Sequence, residues 1–141
     1  MTPQQSVMRI MKYAFIASIL LFLFVALRIP SKAVHPPQHI AEIIIIVVAL
    51  VNLALGWNGR RFFAALSKAN AANATPLQQW FTANVFSLAL MESCALFALV
   101  LHLLGSSNKL VGFLFGCSLL TLFIWNPGAP PAPEDASGIS R

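Results

Sequence analysis

The sequence predicts an all-α membrane protein, a bundle of four transmembrane helices, and three observations predict it. Of its 141 residues, 58% are hydrophobic and only 9% charged, against about 25% charged in soluble domains. A water-soluble fold of this length leaves too many residues at its surface to hide that much apolar area. The apolar residues also gather into four runs, at about residues 13–29, 40–57, 80–104 and 110–125. Roughly twenty such residues cross a hydrocarbon core, so the fourth run is the marginal one. Finally, the cations stand at the ends of the runs, which is the distribution that membrane topology requires and not that of a nucleic-acid surface.

Lipid offers no partner to backbone N–H and C=O groups, so each run is expected to be a helix. The first, Tyr13 to Ile29, follows Arg9 and Lys12. Ser31-Lys32-Ala33 after it is a small-x-small pattern, so a cleaved signal peptide is the alternative. The run is longer than the usual apolar core of a signal, about 7–15 residues, which favours a retained helix. Pro30, Pro36 and Pro37 separate it from the second run, Ile40 to Trp57. There, the isoleucines and valines at 43–48 would suit a strand in water, but the length of the run argues for helix. Gly105-Ser106-Ser107-Asn108 makes a tight turn between the third and fourth runs, and Asn126-Pro127-Gly128 stops the last. Residues 1–128 thus form one transmembrane domain. Residues 129–141, rich in proline and small polar residues, are expected to be a disordered cytoplasmic tail.

Between the second and third runs, Phe62, Phe63 and Leu66 recur at helical spacing beside Arg60, Arg61 and Lys68. This pattern fits a short amphipathic helix on the inner leaflet, or an extension of the second helix. Arg9, Lys12, Arg60, Arg61 and Lys68 then lie on one side of the membrane, and Arg28, Lys32 and Lys109 on the other. The excess of cations places both termini in the cytoplasm. Reporter fusions after Lys68 and after Gly138 are expected to read cytoplasmic, and fusions near Val34 and Ser107 external. Reversed signals at Lys68 and Val34 would invert the topology. With this orientation the sequon Asn73-Ala74-Thr75 is cytoplasmic and carries no glycan.

Glu92 is the one acid in the third run and lies near its middle. A carboxyl at that depth costs about 2.5–3.5 kcal/mol on insertion scales, so such residues face protein or a water cavity and are candidates for binding an ion or a proton. The alternative is a protonated carboxyl that joins helices by hydrogen bonding. Counting about 1.5 Å per residue from the Gly105–Asn108 turn puts Thr121 at the depth of Glu92, with Ser118 one turn away. Thr121, Ser118 and, from the second run, Asn52 are therefore the expected partners, unless the hydroxyls bond their own helix. Leu88, Ala89, Ala95 and Leu96 surround Glu92 on its helix, and small neighbours permit close approach. Gly112 and Gly116 form a small-xxx-small pair, expected to pack tightly within the chain or between copies.

Other chemistry is poorly represented. Glu42 is close enough to a helix end to reach interfacial water. His35 and His39 have Pro36 and Pro37 between them and share no regular helix face, so a metal site is not expected. His102 and His39 fall on one side of the membrane, neither deep enough to hold haem. Cys94 and Cys117 sit inside apolar runs and read as small hydrophobes rather than a disulfide framework. There is no Ser-His-Asp set and no phosphate loop. No catalytic residue, cofactor or nucleic-acid partner is expected, and the chain does not read as an enzyme. The expected partners are the lipid bilayer and other membrane subunits, or further copies of the chain.

The stretch SLALMESCALFALVLHLL, from Ser87, resembles the carboxylate helix of the proteolipid c subunits of rotary ATP synthases. That helix has a similar run of serine, leucine and alanine, then an acid, then an aliphatic stretch. The resemblance covers about thirty residues and implies proton or cation binding at Glu92. Arg60 and Arg61 resemble, more loosely, the family's polar loop. Rotation is not implied, because the family's glycine-rich partner helix has no counterpart and the second run offers only Gly56. Two readings follow: a proton- or cation-binding membrane subunit centred on Glu92, and a non-catalytic accessory or assembly subunit in which Glu92 holds helices together.

Overall fold

A computed structural model of the chain describes residues 3–30, 39–59, 61–63, 65 and 75–131. Among them the secondary structure is helical: α1 (Pro3–Arg28), α2 (His39–Trp57), α3 (Pro76–Leu103) and α4 (Asn108–Ile124). Three of these, α1 to α3, are long and apolar enough to cross a membrane, while α4 is a shorter apolar helix of 17 residues, about 26 Å long.

The helices start and stop where side chains satisfy their end groups. Thr75 opens α3 with a reciprocal cap: its hydroxyl accepts from the Gln78 N–H at 3.3 Å, and the Gln78 amide oxygen accepts from the Thr75 N–H at 3.1 Å. Pro76 fills the first turn, where an N–H would have no partner. This box starts α3 four residues before its apolar run. At the other end, the Gly105 N–H donates to the His102 carbonyl and the Ser106 N–H to the Leu101 carbonyl, both at 3.0 Å. That pattern is a Schellman ending, and it needs the left-handed φ of 83° that glycine adopts freely. Ser107 then caps α4, accepting from the Leu110 N–H at 3.4 Å. The short connection makes α3 and α4 antiparallel neighbours.

Helix α3 is the centre of the bundle. It packs against α1, α2 and α4, and α4 also touches α1 and α2. Ten residues of α3 are buried, against three of α1, two of α2 and five of α4. Many of the ten are small, including Ala83, Ser87, Cys94, Ala95 and Ala98, which lets neighbouring backbones come close. The closest approach is to α2. A Cβ on Gly56 would stand 2.9 Å from Met91 Cγ and 3.0 Å from the Ser87 carbonyl oxygen. A Cβ on Gly59, just beyond α2, would fall on the Ser87 hydroxyl and 3.1 Å from Ser87 Cβ.

The glycines expected to pack tightly do not. Gly112 and Gly116 lie on the outer surface of α4, and a Cβ at either would meet nothing within 4 Å. The opposite side of α4, with Val111, Leu114, Phe115, Ser118 and Leu122, is the one that is buried. Glycine spacing marked a face of α4 but could not say which way it points.

After Asn58 the chain makes a fresh helical turn, with the Arg61 and Phe62 N–H groups donating to the Asn58 carbonyl. Phe63 packs its ring 6.4 Å from that of Phe86 in α3, so this part of the connection folds back on the bundle. Arg60, Leu66 and Lys68 of the proposed amphipathic pattern lie outside the described residues, as do Ser31-Lys32-Ala33, His35 and the tail from residue 132. Cys94 and Cys117 are both free thiols.

Candidate functional site at a mid-membrane carboxyl

Polar contacts between helices gather at the depth of Glu92, but on its neighbours in sequence. From α4, the Ser118 hydroxyl donates to the Met91 carbonyl at 2.7 Å. From α2, the Asn52 amide N–H donates to the Ser93 hydroxyl oxygen at 3.0 Å. The Ser93 hydroxyl in turn donates to the Leu90 carbonyl at 2.7 Å. Its proton is therefore committed, and its oxygen must accept, which fixes the orientation of the Asn52 amide. Thr121 donates to the carbonyl of Cys117, in its own helix, at 2.6 Å. None of the three expected partners, Thr121, Ser118 and Asn52, bonds Glu92.

The reason is azimuth. Successive residues on a helix turn by about 100°, so the side chains of Met91 and Ser93 meet α2, the Met91 carbonyl accepts from α4, and Glu92 points elsewhere. Its near neighbours on the helix surface are Leu88 and Ala95, which are buried, and Ala89 and Leu96, which are exposed. Leu88, Ala95 and His102 recur every seven residues along one stripe, and His102 on that stripe contacts the end of α1. Glu92 thus sits half-buried at the margin between the packed stripe and the outer surface. It forms no hydrogen bond or ion pair among the described residues.

Two further polar contacts join helix ends. The His102 Nε2–H donates to the Ile29 carbonyl at 2.8 Å. That carbonyl can only accept, so Nε2 must carry the proton. At the same end of the bundle the Ser106 hydroxyl donates to the Glu42 carboxylate at 2.5 Å, and His39 Nδ1 lies 3.9 Å from the other Glu42 oxygen. Glu42 therefore ties α2 to the α3–α4 turn, a role that its place near a helix end did not reveal. Among the described residues no cluster of three or more His, Cys, Asp or Glu side chains could hold a metal ion. Two buried polar atoms, Trp80 Nε1 and Asn84 Oδ1, have no hydrogen-bond partner among those residues.

The Asn52–Ser93 bond is open to direct measurement. A double-mutant cycle of Asn52→Leu and Ser93→Ala, unfolded reversibly in mixed micelles, is expected to give a coupling of about 0.6 kcal/mol and at most ~1.7 kcal/mol, the range found for hydrogen bonds between membrane helices. Strictly additive effects would mean that the bond does not join α2 to α3.

These features define the class: a small all-α integral membrane protein with three apolar helices of membrane-crossing length, one of them the central helix. Comparison of the chain with protein-family models, with curated proteins and with solved structures finds no match.

Proposed function

We propose that the chain is a four-helix membrane subunit in which Glu92 binds and releases a proton or a cation. One observation carries this reading: a carboxyl at mid-depth in an apolar helix, on the margin of the packed face, whose expected partners are engaged elsewhere. A group used only as internal glue would be expected to use the hydroxyls and amide at its own depth. A half-buried carboxyl on an outer margin can instead be reached from outside the bundle. The resemblance to the c-subunit carboxylate helix points the same way. In this reading α4 completes the bundle, its short span matched to the membrane by the interfacial residues at its ends, and both termini are cytoplasmic.

The second reading is a non-catalytic accessory or assembly subunit, with Glu92 hydrogen-bonded to a partner chain. The same marginal position favours it, since a carboxyl on the bundle's edge is available to another helix. The experiment is labelling by dicyclohexylcarbodiimide, which reacts with protonated carboxyls in apolar surroundings. Wild-type protein in detergent is expected to take up one label at Glu92, and Glu92→Gln to take up none. Gln keeps the shape and the hydrogen-bonding capacity but has no proton to release. Failure to label at any pH, together with a Gln variant that replaces the wild type fully in cells, would sink the ion-binding reading.

A further inference from the structure

An open cavity lies at the end of the bundle where α1 begins and α4 ends. Its volume is about 650 Å³, within the roughly 300–1,000 Å³ of small-molecule sites. Its walls include Arg9, Lys12 and Tyr13 of α1 and Phe123, Ile124 and Trp125 of α4, and no acidic side chain among the described residues lines it. Arg9 and Lys12 are three residues apart and so share one face of α1.

The two cations are held differently. The Lys12 ammonium donates to the Phe123 carbonyl at 2.8 Å and the Trp125 carbonyl at 2.7 Å. These carbonyls close the C-terminal end of α4, whose dipole puts about half a negative charge there. Lys12 offsets that charge, and its third N–H remains after the two bonds. Arg9 makes no hydrogen bond or ion pair among the described residues, so its guanidinium fork is available to a ligand. The first turn of α1, at the same end, adds the positive half of another helix dipole. Net positive potential, a guanidinium fork and a spare ammonium N–H together fit a phosphate oxygen cluster.

The setting suggests where that phosphate comes from. Phe123 and Ile124 are 76% and 59% exposed, so apolar surface runs from the cavity toward the bilayer core. Tyr13, exposed beside the two cations, suits the headgroup level where aromatic residues gather, while Trp125 is buried in the cavity wall. We propose that this cavity binds a phosphate-bearing anion and that its source is the headgroup of an anionic phospholipid, with Arg9 as the principal ligand and Lys12 as a fixed charge in the wall.

The test is lipid retention by the full chain, purified in neutral detergent and measured by native mass spectrometry after exposure to mixed micelles of phosphatidylglycerol and phosphatidylcholine. Arg9 is the residue to vary, because Lys12 also holds α4. Wild type is expected to retain phosphatidylglycerol over phosphatidylcholine by about fivefold or more, the effect of one cation near an anionic surface. Arg9→Gln should abolish the preference, and Lys109→Gln, at the other end of the bundle, should leave it intact. Binding of inorganic phosphate at millimolar concentration with no lipid preference would keep the phosphate chemistry but overturn the lipid source. Equal retention of both lipids without phosphate binding, or equal loss in the Arg9 and Lys109 variants, overturns the site altogether. A preference that emerges only when the chain is ended after Pro131, removing Glu134 and Asp135, would assign the cavity to the tail and also overturn the proposal.

Discussion

Gly59→Leu is expected to lower the melting temperature in detergent sharply, Gly56→Leu somewhat less, and Gly112→Leu and Gly116→Leu not at all. At Gly59 a new Cβ lands on the Ser87 hydroxyl, which is itself donating to the Ala83 carbonyl at 2.9 Å. Ser87 could turn its hydroxyl away, but its Cβ would remain 3.1 Å off, and a leucine brings three more carbons into the same space. At Gly56 the obstacles are Met91 Cγ, which can move, and the Ser87 carbonyl, which cannot without bending α3. Overpacking of this kind costs about 1–3 kcal/mol and occasionally more. The contact is specific enough for a rescue: Gly59→Ala should be partly restored by Ser87→Gly, which removes both clashing atoms. Equal melting temperatures for the Gly59 and Gly112 leucine variants would show that α2 does not approach α3 here. A loss confined to the Gly112 and Gly116 variants would place another helix on the outer face of α4.

A chain beginning at Val34 is expected to lose its defined tertiary structure, which bears on whether the first apolar run is a retained helix. Met8 and Ile19 of α1 are fully buried and Ala26 nearly so. Without α1, the part of α3 that packs against it faces lipid, where apolar residues lose contacts but suffer little otherwise. The heavier losses are polar. His102 loses the Ile29 carbonyl, and the Phe123 and Trp125 carbonyls lose the Lys12 ammonium. Each hydrogen bond to a charged group is worth about 1.5–3 kcal/mol net. The truncated chain should elute from size exclusion in detergent as aggregate, while the full chain is monodisperse. N-terminal sequencing of the membrane-extracted protein completes the test. A mature start at Val34 with intact tertiary structure would mean that α1 is a signal and that the remaining helices stand alone.

Some of this was legible before the structure. Composition and run length pointed to membrane helices because lipid leaves the backbone no other choice. Depth was legible in part: a rise of about 1.5 Å per residue from a tight turn put Thr121 at the level of Glu92 and Ser118 one turn away, and while Thr121 bonds its own helix, Ser118 and the further candidate Asn52 bond α3 at Met91 and Ser93, on either side of Glu92. The capping box at Thr75 and Gln78 is a local sequence pattern too, lying just before the apolar run.

Rotation about the helix axis was not legible. The four apolar runs show little amphipathic contrast, because lipid and protein interior are both apolar and hydropathy cannot tell one face from the other. Gly112 and Gly116 looked like a packing face and turned outward, while Gly56 and Gly59, separated by a helix end, form the closest contact. Glu92 could be placed at mid-depth from the chain alone, but only the packing of α1, α2 and α4 round α3 shows it on the margin. The class of protein, the helices and their depths follow from local sequence, since backbone hydrogen bonding in lipid is satisfied residue by residue. Which side of each helix meets a neighbour depends on side chains distant in sequence fitting together, and that is decided only when all four helices are assembled.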